Sequence, residues 1–308
     1  MIIAVTPNPA IDHTVLIDDL TIGSVHGGAT GVQVAGGKGL NVARAVRSLG
    51  ADVIAVGPAG GATGAAIVSL AQAEGIDARF TDIQGSSRIC TILTNGSGVS
   101  TVVNEVGPEV SAQEWDRFVE DLRTVVTSAQ VVTISGSLPP GSAPESLSAL
   151  AEVCPQDDDH VWIDCYPTWM GEAIDTGRSV KVNHAEAAAG LGRSIPTVGR
   201  SAWAVGAAAE IVQRGARQCI VTLGSEGAVW VTPDVVLVGE VPRIDAVNAV
   251  GSGDSFLAGI AVAIERGEDP ERALALALAA GAANAMERYA GSFDVRVVEE
   301  LAGSVVVV

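Results

Sequence analysis

Asp254 follows directly on Gly251, Ser252 and Gly253, and behind it Phe256, Leu257, Ile260 and Ile264 recur at helical spacing. A glycine-rich turn therefore opens a helix at this point. Unpaired backbone N–H groups face outward there, and the helix dipole favours an anion. An anionic group docked on the amides of Gly251, Ser252 and Gly253 would lie beside the Asp254 carboxylate, which could take a proton from a nearby hydroxyl. That pairing suits phosphoryl transfer to an alcohol. At a helix N-terminus the carboxylate is expected to stay ionised at neutral pH. The plainer reading makes Asp254 a helix cap in a structural turn.

A second glycine-rich element, Gly36-Gly37-Lys38-Gly39, runs into Leu40, Asn41 and Val42. It is not a Walker A loop. Val32 stands where the first glycine belongs, and Gly39 replaces the Ser or Thr after the lysine. Its glycines still let backbone approach a ligand, with Lys38 and Asn41 at the start of a helix. A structural turn carrying a solvated lysine is the alternative.

Short β-branched runs alternate with helical patterns and would position these groups. Ile2–Thr6, Val53–Val56, Val131–Ser135, Val161–Asp164 and Cys219–Leu223 read as buried strands. Leu40, Ala43, Val46 and Leu49 mark one helix face, closed by Gly50. Ser111 and Glu114 form a capping box, and Asp269-Pro270-Glu271 starts the last long helix. This order points to an α/β fold with a mainly parallel sheet and ligands beyond the carboxyl ends of its strands. Segments 12–31 and 88–104 break the rhythm with polar alternation. The second carries Asn95-Gly96, a hairpin signal. Together they are expected to form a small sheet covering the site, within one domain spanning 1–308.

The chain has 308 residues and a formal net charge of −18. That charge argues against nucleic acid and anionic membranes as partners. A phosphorylated substrate would need local Lys or Arg to overcome it. Cys90, Cys154, Cys165 and Cys219 are scattered, and the four histidines show no metal spacing. Reduced thiols in the cytosol are expected. The N-terminal residues lack the pattern of a signal peptide, and no apolar run approaches a membrane span, so a cytoplasmic protein is expected.

Thr6-Pro7-Asn8-Pro9 with Asp12, the Gly36–Ala43 block, Ser135–Gly141, Thr222–Ala228 and the Asp245–Gly259 block occur in one order over nearly the whole chain. In this the chain resembles the PfkB, or ribokinase-like, sugar kinases, and within them the phosphosugar branch of 1-phosphofructokinases and tagatose-6-phosphate kinases. The resemblance implies a ribokinase-like Rossmann-type sheet with a β lid, ATP as phosphoryl donor and Mg²⁺ as cofactor. It implies that Asp254 is the base and that Gly251, Ser252 and Gly253 form the anion hole. Asp12, Gly37, Lys38, Asn41 and Ser137 would line the sugar pocket, and Arg88 on the lid would meet the substrate's own phosphate. Asn183 and Glu186, an N-x-x-E element, would organise Mg²⁺ mainly through water. Thr222 and Gly224 would face the nucleotide, and Asn284 its adenine edge.

Val182 stands where relatives have proline, and Ser24–Val34 carries no Lys or Arg where many have them. An unphosphorylated sugar or nucleoside as acceptor therefore stays open. A non-catalytic sugar-binding protein on the same fold is a reading of another class. The exposed lid edge suggests a homodimer, since a bare edge otherwise invites uncontrolled pairing. Taken singly, Asp12 could cap a turn, Arg88 could be an ordinary edge-strand arginine, and Glu186 could sit on a solvated helix face.

Overall fold

The structure, a computed structural model, describes residues 1–18, 20–95, 100–155 and 160–308. Its strands in chain order begin with β1 (Ile2–Val5), β2 (Ala10–Leu16), β3 (Thr30–Gly36), β4 (Val53–Gly60) and β5 (Asp77–Ile83). There follow β6 (Arg88–Thr94), β7 (Ser100–Asn104), β8 (Val131–Ser135), β9 (Val161–Asp164) and β10 (Ser179–Asn183). The last are β11 (Cys219–Thr222), β12 (Ala228–Val231), β13 (Val236–Glu240) and β14 (Val306–Val307).

Ten of these make one sheet in the order β14-β13-β12-β11-β10-β9-β8-β1-β4-β5. From β11 to β5 every pairing is parallel, and β12, β13 and β14 are added antiparallel at one edge. Strands covered on both faces should be continuous apolar runs, and β1 and β4 are buried along their whole length. Their side chains divide by parity. Ile2 and Ala4 enter one core, Ile3 and Val5 the other. The first core is completed by helices α1 (Lys38–Ser48), α2 (Gly61–Ala73), α8 (Ser252–Glu265), α9 (Pro270–Ala285) and α10 (Val295–Ala302). The second is completed by α3 (Ala112–Val126), α4 (Ser146–Glu152), α5 (Met170–Asp175), α6 (His184–Leu191) and α7 (Arg200–Gln213).

The expected strands and caps are present, with β4 running on to Gly60 beyond its expected end. The Ser111–Glu114 capping box is formed, and Asp269 caps α9 ahead of Pro270. The low aromatic content has a direct result at α8 and α9. A Cβ on Gly259 would lie 2.5 Å from the Ala277 Cα, so the two helix backbones are nearly in contact.

The remaining strands form a separate sheet, β3-β2-β6-β7, in which only β2 and β6 run parallel. It takes in Ala10–Leu16 and Thr30–Gly36, wider than the expected 12–31, because β3 continues until the glycines that start α1. The Gly96 turn and Val99 lie outside the described residues. Both sheets meet at the site: four residues separate β1 from β2, and β3 leads through Gly36 and Gly37 into α1.

Candidate functional site

The carboxyl ends of β8, β9 and β10 and the N-termini of α1, α6 and α8 converge on one crevice. Gly251 caps α8 with φ of +81°, and a Cβ there would also strike Ala290 at 2.4 Å, so glycine is required twice over. The Ser252 amide donates to the Ala249 carbonyl at 3.2 Å. This corrects the expectation that it helps to hold an anion: the tight turn that aims the helix uses that N–H. Among the described residues the amides of Gly251, Gly253 and Asp254 have no such acceptor and are open to a ligand.

Asp254 is buried, and Asn41 Nδ2 donates to its Oδ2 at 2.9 Å. Burial pushes its carboxyl up to about 6, although Lys38, Lys181 and Asn41 pull the other way. Desolvation outweighs the helix dipole, which alone would have lowered the carboxyl. The group is still mostly ionised at neutral pH, but only by about a unit.

Lys38 is held in an ion-pair network. Its Nζ lies 2.8 Å from Asp164 and 3.1 Å from Glu186, with the Tyr166 ring 5.0 Å away. Burial alone would lower its pKa, but Asp164, Glu186 and Asp254 together raise it, so it stays charged. Asp164 bridges it to Lys181, whose Nζ is 2.7 Å away. Asp164 and Lys181 are both buried, and the two lysines hold the Asp164 carboxyl low against the opposing effect of burial. A Cβ on Gly253 would lie 2.9 Å from Lys181 Nζ, which puts this ammonium directly beside the open turn. Sequence reasoning missed Lys181 and gave Asp164 no role. Two signals were available: a lysine inside the apolar run of β10, and an acid at the carboxyl end of β9, where α/β sheets place their ligands.

Asp12 lies on β2 against Gly36, where a Cβ would fall 2.2 Å from its carboxyl carbon. Burial raises its pKa, offset by Arg44, Arg88 and the Gly37 amide. Arg88 is half-buried. Its Nε and Nη2 donate to the Asn8 carbonyl at 3.2 and 3.0 Å, and Nη1 to the Glu105 carbonyl at 3.1 Å. Five donors on a guanidinium leave two N–H groups for a ligand. The Ser137 hydroxyl accepts from Asn8 Nδ2 at 3.2 Å.

Asn183 and Glu186 form a capping box on α6. The Asn183 side chain accepts from the Ala185 and Glu186 amides, and Glu186 Oε2 accepts from the Asn183 amide at 2.8 Å. Glu186 Oε1 is taken by Lys38. With both carboxylate oxygens engaged, the pair fits a hydrated cation held through water and does not form a direct cage. Among the described residues no group of three or more His, Cys, Asp or Glu could hold a metal.

Thr222 and Gly224 line a groove of about 570 Å³ that also touches Ser252, Gly253, Phe256 and Ala285. A mostly apolar lining with polar groups at the α8 turn and at Ser225, Arg243 and Asp245 suits a nucleotide. Asn284 is not part of it. The residue is fully buried, accepting from Ser255 Oγ at 3.0 Å and the Gly291 amide at 2.6 Å. Its Nδ2 donates to the Val250 carbonyl and to Ser252 Oγ. The expected adenine contact is therefore corrected: Asn284 braces the turn at the start of α8 from behind.

A crevice with an acid beside open helix amides, flanked by a nucleotide-sized groove, defines a group-transfer site on an α/β fold. The pfkB family carbohydrate kinase profile matches residues 6–295, and the chain belongs to that family. It is a phosphotransferase with an alcohol group as acceptor. It is 35% identical over 268 residues to a 1-phosphofructokinase of Haloferax volcanii, covering 87% of this chain and 85% of that one. With a 1-phosphofructokinase of Bacillus subtilis it shares 30% over 297 residues, 95% of each. Escherichia coli phosphofructokinase-2 in complex with fructose-6-phosphate superposes with a TM-score of 0.88 at 25% identity, over 98% of both chains.

Proposed function

We propose that this chain transfers the γ-phosphoryl of ATP to a hydroxyl of a sugar phosphate. Fructose 1-phosphate and tagatose 6-phosphate are the first candidates, and fructose 6-phosphate is a third. The observation that carries the reading is Asp254 at the mouth of α8, buried in a turn whose Gly251, Gly253 and Asp254 amides have no protein acceptor. Asp12, Gly37, Lys38, Asn41 and Ser137 bind and orient the sugar. Asp254 takes the proton of the attacked hydroxyl through the carboxylate oxygen that Asn41 leaves open. The amides of Gly251, Gly253 and Asp254 and the Lys181 ammonium hold charge on the transferring group, where preorganised donors count most. Mg²⁺, held through water by Asn183 and Glu186, would supply charge neutralisation on the phosphates. Thr222 and Gly224 face the nucleotide. The small sheet acts as a lid on a single kinase domain and excludes water, and its bare edges pair two copies into a dimer.

Arg88 meets the substrate's own phosphate with its two remaining N–H groups. The competing acceptor is an unphosphorylated sugar, favoured by the non-basic Ser24–Val34 segment and by the donors Arg88 already gives to Asn8 and Glu105. Release of ADP, measured over a panel of sugars and sugar phosphates, decides between them. In Arg88→Ala, kcat/KM for the phosphorylated substrate should fall roughly 10–150-fold, as for lost charge-assisted contacts. Residual activity on the matching plain sugar should barely change. Equal losses on both would make Arg88 a lid support.

A further inference from the structure

We infer that Arg44 is the positioning residue that fixes which end of the Asn41 amide faces the catalytic base. Arg44 is buried on α1, one turn behind Asn41. Its Nη1 donates to Asn41 Oδ1 at 3.0 Å, and Asn41 Nδ2 in turn donates to Asp254 Oδ2 at 2.9 Å. The other donors are also spent. Nη1 reaches the Ala290 carbonyl, Nη2 the Ala35 carbonyl and Glu74, and Nε the second oxygen of Glu74.

The chemistry of the two side chains makes the arrangement directional. A guanidinium has five N–H donors and no acceptor. Asn41 can therefore offer Arg44 only its carbonyl oxygen, which leaves its NH₂ for Asp254. A donor at that oxygen favours the ionised acid and leaves the other oxygen for the substrate hydroxyl. A turned amide would present its carbonyl instead, which favours the protonated acid and an idle base. Because the five acceptors come from α1, the end of β3, the cap of α2 and the loop after α9, the guanidinium cannot swing away without losing several bonds at once.

The inference rests on Asp254 being the base, and the test separates the two. The groups facing Asp254 are Lys38 and Asn41 from α1, Asp164 from β9 and Lys181 from β10, with Glu186 behind Lys38. β1 and β8 bring no ionisable side chain, and Glu271 and Arg272 lie at the far end of α9. The experiment is kcat against pH for the wild type, Arg44→Met and Arg44→Gln, with ATP, Mg²⁺ and the best acceptor from the panel. Gln keeps polar contacts in the slot but can donate or accept, so it serves if the Met variant does not fold.

Loss of one hydrogen bond to a carboxylate should move the acid limb up by about one unit. That shift lowers kcat about fivefold near pH 6 and hardly at all near pH 8. Arg44→Lys, which still donates to Asn41, should restore the wild-type limb. A folded Met or Gln variant whose kcat loss is the same at both pH values would overturn the inference and leave Arg44 a structural residue. Wild-type turnover in Asp254→Asn would instead remove the base itself.

Discussion

Asp254 is placed at a cost to the fold, and the sign of that cost can be worked out. Its carboxyl titrates at about 6 in the folded chain against a usual 3.8, so the folded state holds this proton more tightly. The corresponding stability is fully present below about pH 4 and is lost as pH rises through 6. Asp254→Asn removes the buried charge. The variant should lose roughly 10²–10⁴-fold in kcat, the range for a missing general base, with near-normal binding of ATP and acceptor. It should also unfold at a higher temperature than wild type, by more at pH 8 than at pH 5. Melting curves at the two pH values check this, and an unstable variant at pH 8 would mean that the carboxylate stabilises the fold.

At the scale of elements, α8 works only because α9 braces it. Asn284 ties Val250, Ser252, Ser255 and Gly291 together from inside α9. Asn284→Ala leaves a buried N–H and a hydroxyl without partners, which costs about 2–4 kcal/mol at usual values. The melting temperature and kcat should both fall, with a smaller change in KM for ATP. A raised KM for ATP at unchanged stability would restore an adenine-facing role. The turn, the helix behind Asp254 and the small sheet were legible in the sequence because each is local: glycines, a helical apolar pattern, polar alternation. Asn284 was misread because α9 is almost wholly Ala and Leu, and an alanine-rich buried helix has no polar face to tell inside from outside. Lys38, Asp164 and Lys181 meet only through the parallel sheet order, and no spacing along the chain records that Lys38 and Asp164 are neighbours.

For the whole molecule, a formal charge of −18 opposes the arrival of any anionic acceptor. Raising ionic strength from about 10 to 150 mM shortens the screening length from about 30 to 8 Å. At saturating ATP, kcat/KM for a sugar phosphate should therefore rise with salt, while that for a plain sugar stays flat. A falling value for the phosphate would mean that the local cations dominate the approach. The near contact of Gly259 with Ala277 reaches further than stability. A methyl at 259 meets backbone, so α8 must slide as a rod, and its N-terminus carries Asp254 and the open amides with it. In a library covering every position, a stripe of small residues along α8 and α9 should reject substitution as firmly as the crevice itself. A map of tolerated changes would then outline the interface between two helices, well away from any atom that reacts.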